Sequence, residues 1–452
     1  MNRKQSLIEG PPARSLFLFA LPMILGNLFQ QFYNMADSVI VGHFVGEDAL
    51  AAVGASYSFT NVFIMIAIGG GIGASVLASQ YLGAEKYTEM KTSIYTFLIT
   101  FALLSALFAC IGFRYNPKVL ALLKTPGNIY DDAVLYLQIY FLGLPFMFMY
   151  NVLAANFNAL GKSGIPLGLL LFSSLLNIFL DLFMVVSLGM GVAGVAIATV
   201  IAQGASAVIS LTILMVLLRG YPSPQRPGFY NLPMLVKGTK IAVPSIIQQS
   251  IVSIGMLLTQ SSVNQFGSSA LAGYSAGMRL ESIAIVPMIG TGNAVSTFTA
   301  QNLGAGQINR IRRGYRASYG IVIAFSLLLF VVCQCFYRPV LSAFVDIDAS
   351  PVAYATGVSY LRFIGCFFCL IGFKAATDGV LRGAGDVMVY MAANLINLAI
   401  RVSVAKACSP VYGIQVIWYA VPMGWLANYV ISFCWYHTGH WQGKSLVRDA
   451  GA

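Results

Sequence analysis

Charge is what this chain has least of. Asp, Glu, Lys and Arg together make up 9% of its 452 residues, against about 25% in an ordinary soluble domain, and that scarcity excludes a globule surrounded by water. Histidine is scarce as well. Of three, His43 stands at the end of the first apolar stretch and His437 and His440 near the carboxyl end, a distribution that offers neither a metal cluster nor a histidine-based triad. No GxxxxGK[ST] loop occurs, which removes the usual built-in use of ATP. The seven cysteines lie in or beside apolar stretches. Cys366 and Cys369 have CxxC spacing but no loop or βαβ setting to give it redox or zinc meaning, so packing is expected of them. Neither catalysis nor a cofactor is expected. No cleavable signal peptide is evident, because the first apolar stretch is long and lacks a small-residue cleavage site behind it, and it should persist as the first helix.

Apolar residues are what the chain has most of, at 58%. They form uninterrupted stretches near or above the ~20 residues that cross a bilayer, which predicts a bundle of helices and not a barrel. The expected spans are 16–42, 48–78, 93–113, 131–159, 165–187, 193–218, 238–263, 269–299, 316–337, 352–380, 387–408 and 411–434. The fold class is therefore an all-α polytopic membrane protein with twelve transmembrane helices. A net charge of +11 is not gathered on one face, as a nucleic-acid site would require. Instead 17 of the 26 Lys and Arg, Arg3, Lys4, Arg310, Arg382 and Arg448 among them, fall at the two ends and in alternate loops. Five, Arg114, Lys118, Lys124, Arg338 and Lys406, fall in the opposite loops. That bias places both termini in the cytoplasm.

The chain also repeats itself. Gly69, Gly71, Gln80, Leu82, Gly83 and Ala84 recur 221 residues later as Gly290, Gly292, Gln301, Leu303, Gly304 and Ala305, and Leu160 with Gly164 recurs as Leu381 with Gly385. Six spans per copy is an even number, so the copies enter the membrane alike and are expected to form two six-helix bundles about a pseudo-two-fold axis along the membrane normal. The expected division is 1–219, a cytoplasmic linker at 220–235 with prolines at 222, 224, 227 and 233, and 236–452. Each copy opens with a proline near the start of its first span, Pro22 and Pro244, where a kink or hinge is expected. The glycines at 69–71, with Gly290 and Gly292, are expected to let helices approach closely.

Polar residues inside the spans are few and patterned. Asn27, Gln30, Asn34 and Asp37 follow one another at helical spacing and line one side of the first span. Asn177 and Asp181 share a face of the fifth, while Asn151 and Thr199 stand on the fourth and sixth. Two carboxylates, amide carbonyls and a hydroxyl form an oxygen set suited to Na+, H+ or both. The second copy is a control. Asp37 aligns there with Leu258 or Thr259, Asn151 with Gly372 or Phe373, Thr199 with about Val421, and Asp181 with Arg401, so the cation chemistry is expected in the first copy. Of the other charges within spans, Arg279, Glu281, Arg362, Lys374 and Asp378 suggest ion pairing between the eighth and tenth spans, and Lys374 and Asp378 are also an i,i+4 pair. Arg382, Asp386 and the run from Arg310 to Arg316 are expected on a solvated surface.

The stretches Leu21-Pro22, Asn34-Met35-Ala36-Asp37, Ala78 to Ala84, Asn177 to Asp181, Gly191 to Thr199, Arg279-Leu280-Glu281-Ser282 with Pro287, and Leu381 to Asp386 resemble, in order and spacing, the multidrug and toxic compound extrusion (MATE) transporters over nearly the whole chain. The resemblance implies efflux of varied, often cationic amphiphiles in exchange for H+ or Na+ across a bacterial or archaeal cytoplasmic (inner) membrane. It is closer to the DinF-like branch, whose cation site matches Asp37, Asn151, Asn177, Asp181 and Thr199 and whose first-helix bend matches Pro22. Na+ would sit at Asp37, Asn177 and Asp181. The NorM-like branch differs, because Gln248, Gln249 and Ser253 stand where it has a glutamate and Lys374 stands near its tenth-helix acid. Gln30, Asn34, Tyr136 and Tyr140, with Gln249 and Met256 from the second copy, are the substrate contacts expected. The partners expected are a drug-like small molecule and the bilayer, with no nucleic acid, and the chain should be a monomer. A lipid-linked precursor flippase, favoured by Lys374 and Arg401, and a non-transporting receptor are the alternatives.

Overall fold

The computed structural model describes residues 7–342 and 350–447. Arg3, Lys4 and Arg448, used above to orient the chain, lie outside them. Among the described residues every regular element is helical. The first copy contains α1 (Pro12–Ile40), α2 (Glu47–Gly83), α3 (Tyr87–Leu122), α4 (Gly127–Ala159), α5 (Gly164–Leu182) and α6 (Gly191–Arg219). The second contains α7 (Leu232–Val263), α8 (Ser268–Ala284), α9 (Val286–Gly304), α10 (Ile308–Cys335), α11 (Tyr337–Ser342), α12 (Pro351–Gly365), α13 (Phe368–Ala384), α14 (Val387–Tyr412) and α15 (Gln415–Thr438). Eleven helical segments are long and apolar enough to cross a membrane, and α12 with α13, bent by 52° at their junction, forms the twelfth. The chain is a multi-pass membrane protein of the expected class. α8 and α9 together make the eighth span, interrupted at Ile285 beside Pro287, where a proline inside an apolar run removes a donor.

Among the described residues, contacts divide the chain into two units, one holding Leu25–Ile246 and the other residues 7–24 with 247–342 and 350–447. The break thus falls inside α1 and α7, whereas the sequence places it at 220–235. The cause is visible in each unit. In the first, Lys91 of α3 donates to the Tyr221 carbonyl at 2.8 Å, and the hydroxyls of Thr92 and Thr96 accept from the backbone N–H of Gly228 and Asn231, both at 3.0 Å. The linker and the opening of α7 are therefore tied to α3. In the second unit, Arg310 of α10 donates to the carbonyls of Leu7, at 3.1 Å from Nη2, and of Glu9, at 2.6 Å. Asn302 of α9 adds a bond to Leu7 at 3.2 Å. Arg310 is thus a clamp on the chain ahead of α1 and not a solvated surface charge.

Glycine sets the closest helix contacts. A Cβ on Gly69 would come within 2.8 Å of the Ile246 backbone, and one on Gly290 within 2.6 Å of the Ile24 side chain. The last residues of α7 and α1 that belong to each unit are gripped in this way. A Cβ on Gly71 would lie 3.6 Å from the Asn151 carbonyl, and one on Gly292 2.6 Å from that of Ala375. The copies are therefore displaced by 224 residues in α4 and α13, and Asn151 corresponds to Ala375, not to Gly372 or Phe373. The matching turn bonds, Lys162 N–H to the Phe157 carbonyl and Asp386 N–H to that of Leu381, share this displacement. The echo of Leu160 and Gly164 at 221 is a coincidence of sequence.

The i,i+4 pair on α13 forms as expected, and the other charges find partners that were not expected. The one ion pair among the described residues joins Lys374 and Asp378, 3.2 Å apart on α13. Glu281 of α8 instead accepts from the Tyr360 hydroxyl, and Arg362 bonds Gln334 at 3.1 Å. Arg382 donates to Asn293 Oδ1 at 2.7 Å, and buried Asp386 accepts from Trp435 Nε1 at 2.7 Å. Neither of those two is a solvated surface charge, because helix ends packed against neighbours must satisfy their polar groups internally.

Candidate functional site

The two acids of the first unit come from helices that lose α geometry just beyond them. Asp37 lies four residues before a π-helical turn, Val41–Val45, and Asp181 two before another, Phe183–Ser187. Such turns widen a helix locally and often accompany functional residues. Val41 and Val185 pack with Ala49, Val192 and Val195, and Tyr136 lies against the same cluster. That apolar contact joins the ends of α1 and α5, which brings the carboxyls together.

The Asp37 and Asp181 carboxyl groups are close enough to interact electrostatically. Asp181 is fully buried, and Oδ1 of each acid is buried without a hydrogen-bond partner. Asn177 stands one turn before Asp181. With its amide oriented to satisfy its neighbours, Nδ2 donates to the Tyr33 hydroxyl at 2.8 Å and to Asp181 Oδ2 at 3.0 Å, while Oδ1 accepts from the Thr199 backbone N–H at 3.2 Å. The Thr199 hydroxyl is returned to its own helix, donating to the Val195 carbonyl at 3.0 Å. Two like charges this close in a water-poor interior repel unless a proton or a cation lies between them. The unpartnered oxygens give such a positive species something to bind.

The structure thus gathers Asp37, Asn177, Asp181 and Thr199, and adds Tyr33, which interacts electrostatically with both acids, as does Tyr136. Tyr33 was missed in the sequence because an aromatic residue in an apolar span reads as packing, although it stands one turn before Asp37 on the polar stripe. Asn151 stands on α4. Its amide donates to the Met147 carbonyl of its own helix at 2.9 Å. Gln30 and Asn34 bond each other at 3.0 Å on the exposed side of α1. Tyr136 and Tyr140 stack, with centroids 6.5 Å apart, along a small cleft that Met147, Thr199, Val200 and Gln203 also line. α1 runs through Pro22 without interruption. Gln249, half-buried, and Met256, exposed, belong to the second unit.

Comparison with known proteins agrees with the repeat. The probable multidrug resistance protein YpnP of Bacillus subtilis is 29% identical over 98% of both chains. A FAD transporter of Shewanella oneidensis is 24% identical over 94% of both. The fold matches that of a MOP superfamily transporter from Pyrococcus furiosus, with a TM-score of 0.89 over 97% of this chain and 98% of that one at 22% identity. The MatE family model matches twice, over residues 22–183 and 244–405, once in each copy. The chain belongs to the MatE family.

Proposed function

We propose that the chain is a secondary active multidrug efflux antiporter of the DinF-like kind, exporting amphiphilic, often cationic compounds in exchange for H+ or Na+ by alternating access. The observation that carries this reading is the pair of neighbouring acids, each with a buried, unpartnered oxygen, in spans α1 and α5. Ionisable groups at membrane depth are costly and are kept where ions or protons pass. In the proposed cycle a proton or Na+ held by Asp37, Asn177 and Asp181 favours one shape of the first unit. Release of that ion favours another that admits cargo, so cargo and ion exclude each other. The bend near Pro22 would change with occupancy. Both termini face the cytoplasm in this reading, and the protein sits in the inner membrane as a monomer. The names of relatives such as YpnP support multidrug cargo. Of the two cations that would favour a pyrophosphate carrier, Lys374 is neutralised by Asp378.

The test is efflux from proteoliposomes under imposed pH or Na+ gradients, with Asp37→Asn and Asp181→Asn alongside. Each substitution should lower gradient-driven efflux at least about tenfold, equivalent to ~1.4 kcal/mol of coupling. Full transport by both folded variants would remove the site, and transport indifferent to either gradient would remove antiport.

A further inference from the structure

The second unit carries its own buried polar assembly, away from any residue that the first unit's acids use. Lys374 and Asp378 lie one turn apart on α13, with side chains 14% and 6% exposed. Asp378 Oδ1 accepts from Ser432 of α15 at 2.7 Å, and its Oδ2 receives only the lysine. The adjoining Thr377 bonds the Tyr315 hydroxyl at 2.7 Å, Tyr315 bonds Tyr319, and Tyr319 bonds Tyr429 at 3.0 Å, so hydroxyls link α13, α10 and α15. Phe373 lies against the rings of both Tyr319 and Tyr429, at 4.5 and 6.0 Å.

The first unit shows that this fold does not need such an assembly in order to pack. With the displacements fixed above, Lys374, Asp378, Tyr315 and Tyr319 correspond to Tyr150, Ala154, Ile94 and Leu98. The same helices pack there without a charge. A buried ion pair contributes little stability compared with apolar residues of similar size, so its presence in one copy alone calls for another cause.

We propose that Asp378 is a second proton-binding carboxyl, paired with Lys374, and that its protonation acts as a switch on α13. The proton comes from water and adds to Asp378 Oδ2, which takes the pair from no net charge to one positive charge. Lys374 then loses its counter-charge. The bond that positions it on the helix face weakens, and the response falls at the 52° junction of α12 and α13, because Gly379 and Gly383 hold the body of α13 against α9. Lys374 and Arg382 of its own helix and Tyr390 of α14 interact with Asp378, while Tyr315 and Tyr319 of α10, with Tyr429 and Tyr436 of α15, form a cluster joined to the adjoining Thr377. His440 lies in the short turn against α13, and α9 brings no ionisable side chain. This inference does not rest on the first unit's acids.

Infrared difference spectroscopy of the full-length protein in lipid, with Asp37→Asn and Asp181→Asn already introduced, isolates the proposed event from the first unit. Acidification should raise a protonated-carboxyl band that shifts in D2O, together with tyrosine ring bands. Asp378→Asn should abolish that carboxyl band and Asp378→Glu should restore it at a shifted position. A spectrum unchanged by Asp378→Asn would overturn the proposal. The neutral pair Lys374→Met with Asp378→Asn, in the otherwise native chain, tests the switch. It should fold with native thermal stability and show a flattened pH profile of efflux, whereas a native pH profile would show the pair to be only structural.

Discussion

At the scale of single residues, Tyr33 is the feature of the acid site that only the structure reveals. Its hydroxyl takes one of the two Asn177 amide hydrogens at 2.8 Å, and the other goes to Asp181. Removing the hydroxyl strands a buried donor, which costs about 1–3 kcal/mol unless water enters. Tyr33→Phe should therefore keep the fold while loosening the orientation of Asn177. The apparent affinity for the coupling ion should fall roughly fivefold to tenfold for ~1 kcal/mol, read as a shift in the ion concentration giving half-maximal efflux. An unshifted curve would mean that Asn177 is held by Asp181 alone. The acids themselves were legible in the sequence, because a carboxylate in an apolar span has few innocent explanations. The local bond of Asn151 was not legible. An amide can satisfy itself on its own helix, as this one does with the Met147 carbonyl, and residue type and spacing do not distinguish that outcome from a ligand.

At the scale of elements, hydrophobic length gave all twelve spans, since nothing but helix can cross lipid with its backbone satisfied. The irregularities were hidden. The π-helical turn Val41–Val45 carries no proline, only Gly42, and it packs against the turn at Phe183–Ser187. Such a contact joins residues more than a hundred apart, which local pattern does not record. Glycine roles were legible in kind but not in partner. A Cβ on Gly70 would fall 1.9 Å from the Phe101 ring, whereas one on Gly168 meets nothing within 4 Å. Gly70→Ala should force Phe101 from its place between α3 and α4 and cost about 1–3 kcal/mol, visible as a lower midpoint of thermal unfolding in detergent. Gly168→Ala should leave the midpoint where it is. Equal midpoints for the two variants would mean that α2 can shift to accommodate a methyl group.

At the scale of the whole molecule, the two copies trade segments. The first unit includes Leu232–Ile246, from the second half of the chain, and the second includes residues 7–24, from the first half. The trade is held by matching devices. Lys91, Thr92 and Thr96 bind the stretch leading into α7, and Arg310 with Asn302 binds the stretch leading into α1. The prolines of the linker gave no sign of these ties, because composition reports the conformations a segment allows and not the carbonyls and N–H groups it finds to bind. With those bonds in place, each half lacks a piece of its own unit. Expressed alone, residues 1–224 would leave Gly69 and Gly73 of α2 without the start of α7, and residues 225–452 would leave Gly290 of α9 and Arg310 without theirs. Exposed small-residue grooves and an unpaired clamp favour aggregation or degradation over a folded half. The two pieces made together in one cell should instead recover both units. A tag on either piece should then carry the other through purification, and the joined pair should support efflux. Two halves that each purify alone as single, well-behaved species would show that the traded segments are accessory, and that each copy is complete without the other.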